Sequence, residues 1–258
     1  MNELPKKSYK QLFFSPTDER IVEKRRRKAF EEVVYLLPAE SAGEALRELS
    51  YYDRMVADAA YTLMRRGVPT IYAKHIMEVL SGNEALTLRP DRKQEVEESL
   101  LRLAETHTES RPDTGVGIAW RTEAGMATPI FPIYRKNTGF AYDPATLPPD
   151  YVRAERSGRL IRAPQNLFAA SGLPTSMENL AIAHYLYTRL ALRQRIRFTD
   201  LCTAVDIQFP KGTYYIERKE DTIRQKARRV LASFRESGMK IPRMLVDLEA
   251  KNNVYGRT

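Results

Sequence analysis

Two adjacent tyrosines, Tyr214 and Tyr215, stand at the head of a stretch dense in cations. A tyrosine hydroxyl beside a phosphodiester can form a covalent intermediate, so strand nicking is one chemistry this pair could carry. Such nicking needs a divalent metal, usually held by closely spaced histidines. His75, His107 and His184 are widely separated, and no His-x-His pair exists. The single cysteine, Cys202, excludes an intrachain disulfide framework and a cysteine-built zinc site. No phosphate-cradling glycine loop is present, so ATP-driven unwinding is not supported. No catalytic residue, metal or cofactor is expected.

The same stretch supports a second chemistry. Taken as a helix turning about 100° per residue, residues 214–237 place Ile216, Ile223, Ala227, Val230, Leu231 and Phe234 on one side. Arg218, Thr222, Gln225 and Arg229 lie opposite, with Lys219 and Lys226 on one edge and Arg224 and Arg228 on the other. Arginine can take guanine O6 and N7 bidentately, glutamine can take adenine, threonine can touch a methyl group or a phosphate, and lysine contacts phosphate. Lys211, Tyr214 and Tyr215 sit just before or at the helix start, where backbone N–H groups commonly meet phosphates. The expected DNA-binding set is therefore Lys211, Tyr214, Tyr215, Arg218, Lys219, Thr222, Gln225, Lys226 and Arg229. In this set the tyrosines pack and bond phosphate without cleaving it. Glu217, Glu220 and Asp221 suit the helix dipole. A pair such as Glu220 with Arg224 is what an ordinary solvated surface helix would also show.

Charge distribution favours the same end of the chain. The 258 residues hold 42 Lys and Arg against 33 Asp and Glu, a formal net charge of +9. Residues 1–44 carry 9 basic and 8 acidic residues (net +1), and residues 45–150 carry 13 and 15 (net −2). Residues 151–258 carry 20 and 10, a net +10. An excess confined to one part of the chain is a nucleic-acid signature more than a general solubility bias. No apolar run approaches the roughly 18 residues of a membrane span, and the first residues show no signal-peptide core. A cytoplasmic protein with no membrane contact is expected. No RNP-type aromatic strand or KH glycine loop points to RNA.

These residues need elements to hold them. The first 44 residues read as a helical arm, carrying the basic run 24–28 and ending before Pro38. Ser50 can cap a helix over 50–66 with Tyr52, Val56, Ala59 and Leu63 in one stripe. Thr70 can cap a shorter helix with Ile76, Val79 and Leu80 inward, ended by Gly82. A third helix over 90–105 buries Val96, Leu100, Leu103 and Ala104, and turns Glu95, Glu98, Arg102 and Glu105 outward. Strand-like stretches follow over 106–111, 116–122 and 128–135, and 136–174 reads as an irregular extended wing and connection.

The order then repeats. Residues 175–178 match a capping box, and the helix beyond it carries His184 on its apolar stripe, as a hydrogen-bonded core histidine. An extended piece over 195–198, a short helix over 200–205 capped by Thr199, a turn, the long helix and a strand over 240–246 complete the chain. The expectation is an α+β, mainly α fold of two tandem winged-helix domains. Their boundaries are 1–44 for the helical arm, 45–165 for a first domain with an extended wing and an association role, and 166–258 for a basic DNA-binding domain.

Several segments resemble bacterial plasmid replication initiator proteins of the tandem winged-helix class. They are Leu49-Ser50-Tyr51-Tyr52-Asp53-Arg54, Ile76-Met77-Glu78-Val79-Leu80-Ser81-Gly82, the Val96 to Leu103 helix running into Thr106-His107-Thr108, and the Arg228-Arg229-Val230-Leu231 to Gly238-Met239-Lys240-Ile241 end. The likeness covers roughly residues 45–245 and lies in pattern. It implies binding of repeated origin sequences on double-stranded DNA, self-association through the first domain as a homodimer, and recruitment of host replication proteins. The long 107–172 segment departs from a compact winged helix. A transcriptional regulator or partition factor could use the same surface.

Overall fold

The computed structural model describes residues 33–83, 87–111, 115–119, 128–164 and 176–249. The basic run at 24–28 lies outside them. The fold is α+β and mainly helical, with eight α-helices among the described residues and several small sheets.

Its centre is a helix, α2 (Tyr51–Arg65), which follows the short α1 (Glu44–Glu48). Ser50 caps α2 by accepting from the Asp53 backbone N–H, and its hydroxyl donates to the Asp53 carboxylate. The helix is not one-sided, as a single stripe would imply. Every residue from Met55 to Met64 is buried, because α2 packs at once against β1 (Val33–Leu36), α3 (Ala73–Ser81), α4 (Pro90–Glu105) and α6 (Met177–Ala191). Its buried polar groups are paired. Arg102 of α4 donates to both Asp53 carboxylate oxygens, and Thr62 Oγ1 accepts from the Tyr35 N–H of β1. Arg102 therefore turns back to α2, and on the outer side of α4 Glu95 pairs with Arg92 and Glu97 with Lys93.

A strand, β2 (Thr70–Ile71), joins α2 to α3. Thr70 does not cap α3. The cap position is Tyr72, with no side-chain cap bond, because Thr70 is already paired opposite Ala141. Gly82 ends α3 at φ 66°, as expected of a left-handed cap. α4 begins with Pro90 and buries Val96, Leu100 and Leu103. The strands β3 (His107–Arg111), β4 (Gly115–Ala119) and β5 (Thr128–Pro129) form one antiparallel sheet in the order β4-β3-β5. A hairpin of β6 (Ile133–Lys136) and β7 (Gly139–Tyr142) returns to β2, giving a second antiparallel sheet in the order β2-β7-β6. The hairpin turn is two residues long, with Asn137 at φ 54°.

Residues 165–174 lie outside the described residues, and 136–164 are more regular than the run of turn residues suggests. They complete β6 and contain β7, a helix α5 (Pro149–Arg156) and a strand β8 (Ile161–Pro164). β8 pairs antiparallel with β1, from Val33↔Pro164 to Leu36↔Ile161. This pairing also corrects the helical arm. Residues 33–36 are a strand with Val34 and Leu36 buried in the core. The helix signal fails here because the partner strand lies far along the sequence.

α6 is capped by Ser176, which accepts from the Asn179 N–H, one residue later than the 175–178 capping box placed it. β9 (Ile196–Arg197) leads into α7 (Phe198–Ala204), which starts ahead of Thr199 and has no side-chain cap. α8 (Thr213–Glu236) follows. The final segment is a 3-10 turn at Arg243–Leu245 and a two-residue strand β10 (Val246–Asp247), instead of one strand over 240–246. β10 runs parallel to β9. The buried residues form one continuous cluster from Val34 to Leu248, so the two halves share a core.

Candidate nucleic-acid interface

α8 is held by its inward side. Ile223, Ala227, Val230, Leu231 and Phe234 are buried, and the Phe234 ring meets Tyr187 of α6 edge-on at 5.8 Å. With that side fixed, the opposite side must face solvent. Arg218, Thr222, Gln225 and Arg229 are all exposed, in a row about 16 Å long at 1.5 Å per residue. Neither arginine of this row is ion-paired with a described residue. The Thr222 hydroxyl donates to the Arg218 carbonyl.

The helix start is open. Gly212 occupies the cap position without a side-chain cap bond, and no acidic residue lies in the first turn. Its first N–H groups therefore lack the carboxylate that often neutralises a helix start. Lys211 is exposed beside it. Tyr214 and Tyr215 are 67% and 59% exposed, with their rings in edge contact at 5.5 Å. The two rings make an exposed aromatic pair at the helix start.

The edges of the row behave differently from its centre. Lys219 and Lys226 both bond Glu178 of α6, at 2.7 and 2.6 Å. On the other edge, Arg224 is buried. It donates to the Leu248 carbonyl, pairs with Glu220 at 3.1 Å and lies 3.8 Å over the Phe198 ring. The Glu220–Arg224 pair was legible as an i, i+4 spacing, but the role of Glu178 was not, since it comes from another helix. Arg228 pairs with Glu249. The strand-like 128–135 stretch and the turn after it form the β6–β7 hairpin tip, where Tyr134 is 56% exposed beside exposed Arg135 and Lys136, residues outside the expected DNA-binding set.

One other constellation has the look of chemistry. Tyr51 donates to Nδ1 of His184 at 2.7 Å, and His184 Nε2–H donates to Asp58 at 2.7 Å. Asp58 also accepts from the Leu37 N–H and the Tyr151 hydroxyl, and a proton on His184 Nε2 leaves Nδ1 to accept from Tyr51. Burial pushes the Tyr51 phenol well above its usual range, which is the wrong direction for a nucleophile. The adjoining cavity, about 70 Å³, lies well below the roughly 300 Å³ at which ligand pockets begin. The relay joins the halves of the molecule, as the reading of His184 as a core histidine anticipates. No group of three or more His, Cys, Asp or Glu placed to hold a metal occurs among the described residues, and no described helix is long and apolar enough to cross a membrane.

Comparison with protein-family models, curated proteins and solved structures finds no match to this chain.

Proposed function

We propose that this is a sequence-specific double-stranded DNA-binding protein, and specifically a replication initiator that binds origin repeats of a plasmid or integrative mobile element. One observation carries the DNA reading: an exposed row of Arg218, Thr222, Gln225 and Arg229 on α8, with both arginines outside any ion pair among the described residues. α8 enters the major groove with this row facing base edges. Lys211, Tyr214 and Tyr215 meet the backbone at the open helix start.

The helix–strand–helix–helix order supports a tandem winged-helix reading, since it occurs twice, as α2-β2-α3-α4 and as α6-β9-α7-α8. The first unit adds the hairpin that a wing requires. On this reading residues 45–165 form the association unit, through which the chain forms a homodimer, and residues 166–258 form the main DNA reader. The initiator role, with host replication proteins as partners, rests on the resemblance of the segments quoted above. Plasmid maintenance by the cloned origin, set against repression of a reporter, separates it from a regulatory or partition role.

The test of the DNA reading is selection of binding sites from a random duplex library with the full chain, followed by titration of the selected duplex. Binding weakens with salt at a log–log slope of about −0.9 per phosphate neutralised. Arg218→Ala and Arg229→Ala each cost roughly 1–3 kcal/mol on the selected site and relax its sequence preference. Variants that bind as tightly and as selectively as the parent overturn the assignment of α8.

A further inference from the structure

Glu178 is the second residue of α6 and reaches across to α8. Its two carboxylate oxygens are divided between two lysines. Oε2 accepts from Lys219 Nζ at 2.7 Å, and Oε1 accepts from Lys226 Nζ at 2.6 Å. The lysines are seven residues apart, two helical turns, and so share one edge of the outward row. Burial works to raise the Glu178 carboxyl, but the bonds from Lys219 and Lys226 outweigh it and hold it below its ordinary value.

Position distinguishes this cluster from the other edge of α8. The Glu220 and Arg224 side chains are 14% and 10% exposed, and Arg224 is committed to the Leu248 carbonyl and the Phe198 ring as well. Glu178, Lys219 and Lys226 are 24%, 28% and 24% exposed, at the rim of the proposed contact surface. One anion shared by two ammonium groups is the arrangement a DNA phosphate would itself make with these lysines.

We propose that Glu178 is a built-in counter-ion that withholds Lys219 and Lys226 from the DNA backbone and so limits how many phosphates the α8 edge can neutralise. This rests on the reading of α8 as the DNA-facing helix. Affinity for any duplex is thereby held down, while the base-facing row of Arg218, Gln225 and Arg229 is left to discriminate. Non-specific binding is set by the number of phosphates neutralised, so a withheld lysine raises selectivity without touching a base.

The experiment compares four full-length chains on a random-sequence duplex across a salt series: parent, Glu178→Gln, the Lys219→Gln/Lys226→Gln double variant, and the triple variant. Glu178→Gln is expected to bind more tightly, with a log–log salt slope steeper by about 1–2. The double variant is expected to match the parent slope, because its lysines were already engaged. The triple variant is expected to return to the parent slope. A Glu178→Gln chain that binds no tighter overturns the proposal, and so does a double variant whose slope is shallower than the parent's by about 2. The double variant keeps Glu178 and decides the matter even if Glu178→Gln fails to fold. A parent chain that binds no duplex overturns the reading of α8 and this proposal with it. A parent that binds, with a slope unmoved by Glu178→Gln, overturns this proposal alone.

Discussion

Asp58 gathers four segments on one carboxylate. Oδ1 accepts from the Leu37 N–H that follows β1 and from the Tyr151 hydroxyl of α5, at 3.0 and 2.6 Å. Oδ2 accepts from His184 of α6, and the residue itself sits in α2 with 1% exposure. Removing one partner of such a network leaves the others buried and unsatisfied, which is costlier than never having had the network. Asp58→Ala is expected to lose about 3–5 kcal/mol of stability, read as a fall in the urea midpoint. Asp58→Asn should recover part of that, since its amide oxygen still accepts. An Asp58→Ala chain as stable as the parent would refute this role. The place of His184 was legible from its position on an apolar stripe. Asp58 was not, because an acidic residue inside a helix reads as solvent-facing until its distant donors are known.

Elements were legible where the determinants are local. α4 starts at Pro90 and ends at Glu105 as its proline and periodicity require, and α8 ends just before Gly238. They were misread where a partner strand decides. Residues 33–36 and 70–71 are strands because β8 and β7 offer backbone pairs, and helix propensity yields to that tertiary context. The β2–β7 pairing also explains Gly139. A Cβ there would stand 2.8 Å from Thr70 Cγ2 and 2.8 Å from the Tyr72 ring. Gly139→Ala is expected to wedge the hairpin from β2 and cost about 1–3 kcal/mol, measured by thermal or urea unfolding. An unaffected midpoint would mean that the hairpin yields without loss. The outward row of α8 was legible from angle alone, whereas the diversion of Lys219 and Lys226 needed the third dimension.

At the scale of the whole molecule, the shared core is rich in tyrosine. Burial raises Tyr51, Tyr52, Tyr61, Tyr142, Tyr151, Tyr185 and Tyr187 above the ordinary phenol value, Tyr52 to about 12. In the unfolded chain these phenols ionise near 10. Above that pH the unfolded state binds fewer protons than the native one, so stability falls as pH rises. The contribution is fully present below pH 10 and is lost towards and beyond pH 12. These seven are half of the chain's 14 tyrosines. An ultraviolet-absorbance titration of native protein should therefore show no more than about half the phenolate signal of the urea-unfolded chain near pH 10. A full native signal at that pH would contradict the burial. The charge asymmetry of the sequence points to the end of the chain that carries the exposed α8 row, but composition could not show that both ends would share one core.

The β1–β8 ribbon has a consequence for how the chain is made. Its two strands lie ~125 positions apart, and a ribosome adds roughly 5–20 residues per second. The edge of β1 therefore leaves the ribosome well before its partner exists. During that interval Val34 and Leu36 have α2 to pack against, but the backbone of β1 has no strand to pair with. Closure comes only when residues 161–164 emerge, after both sheets of the intervening segment have been synthesised. The first strand of the core is thus sealed only after the whole intervening segment has been made, and a nascent chain stalled before residue 161 presents an open strand edge to its neighbours.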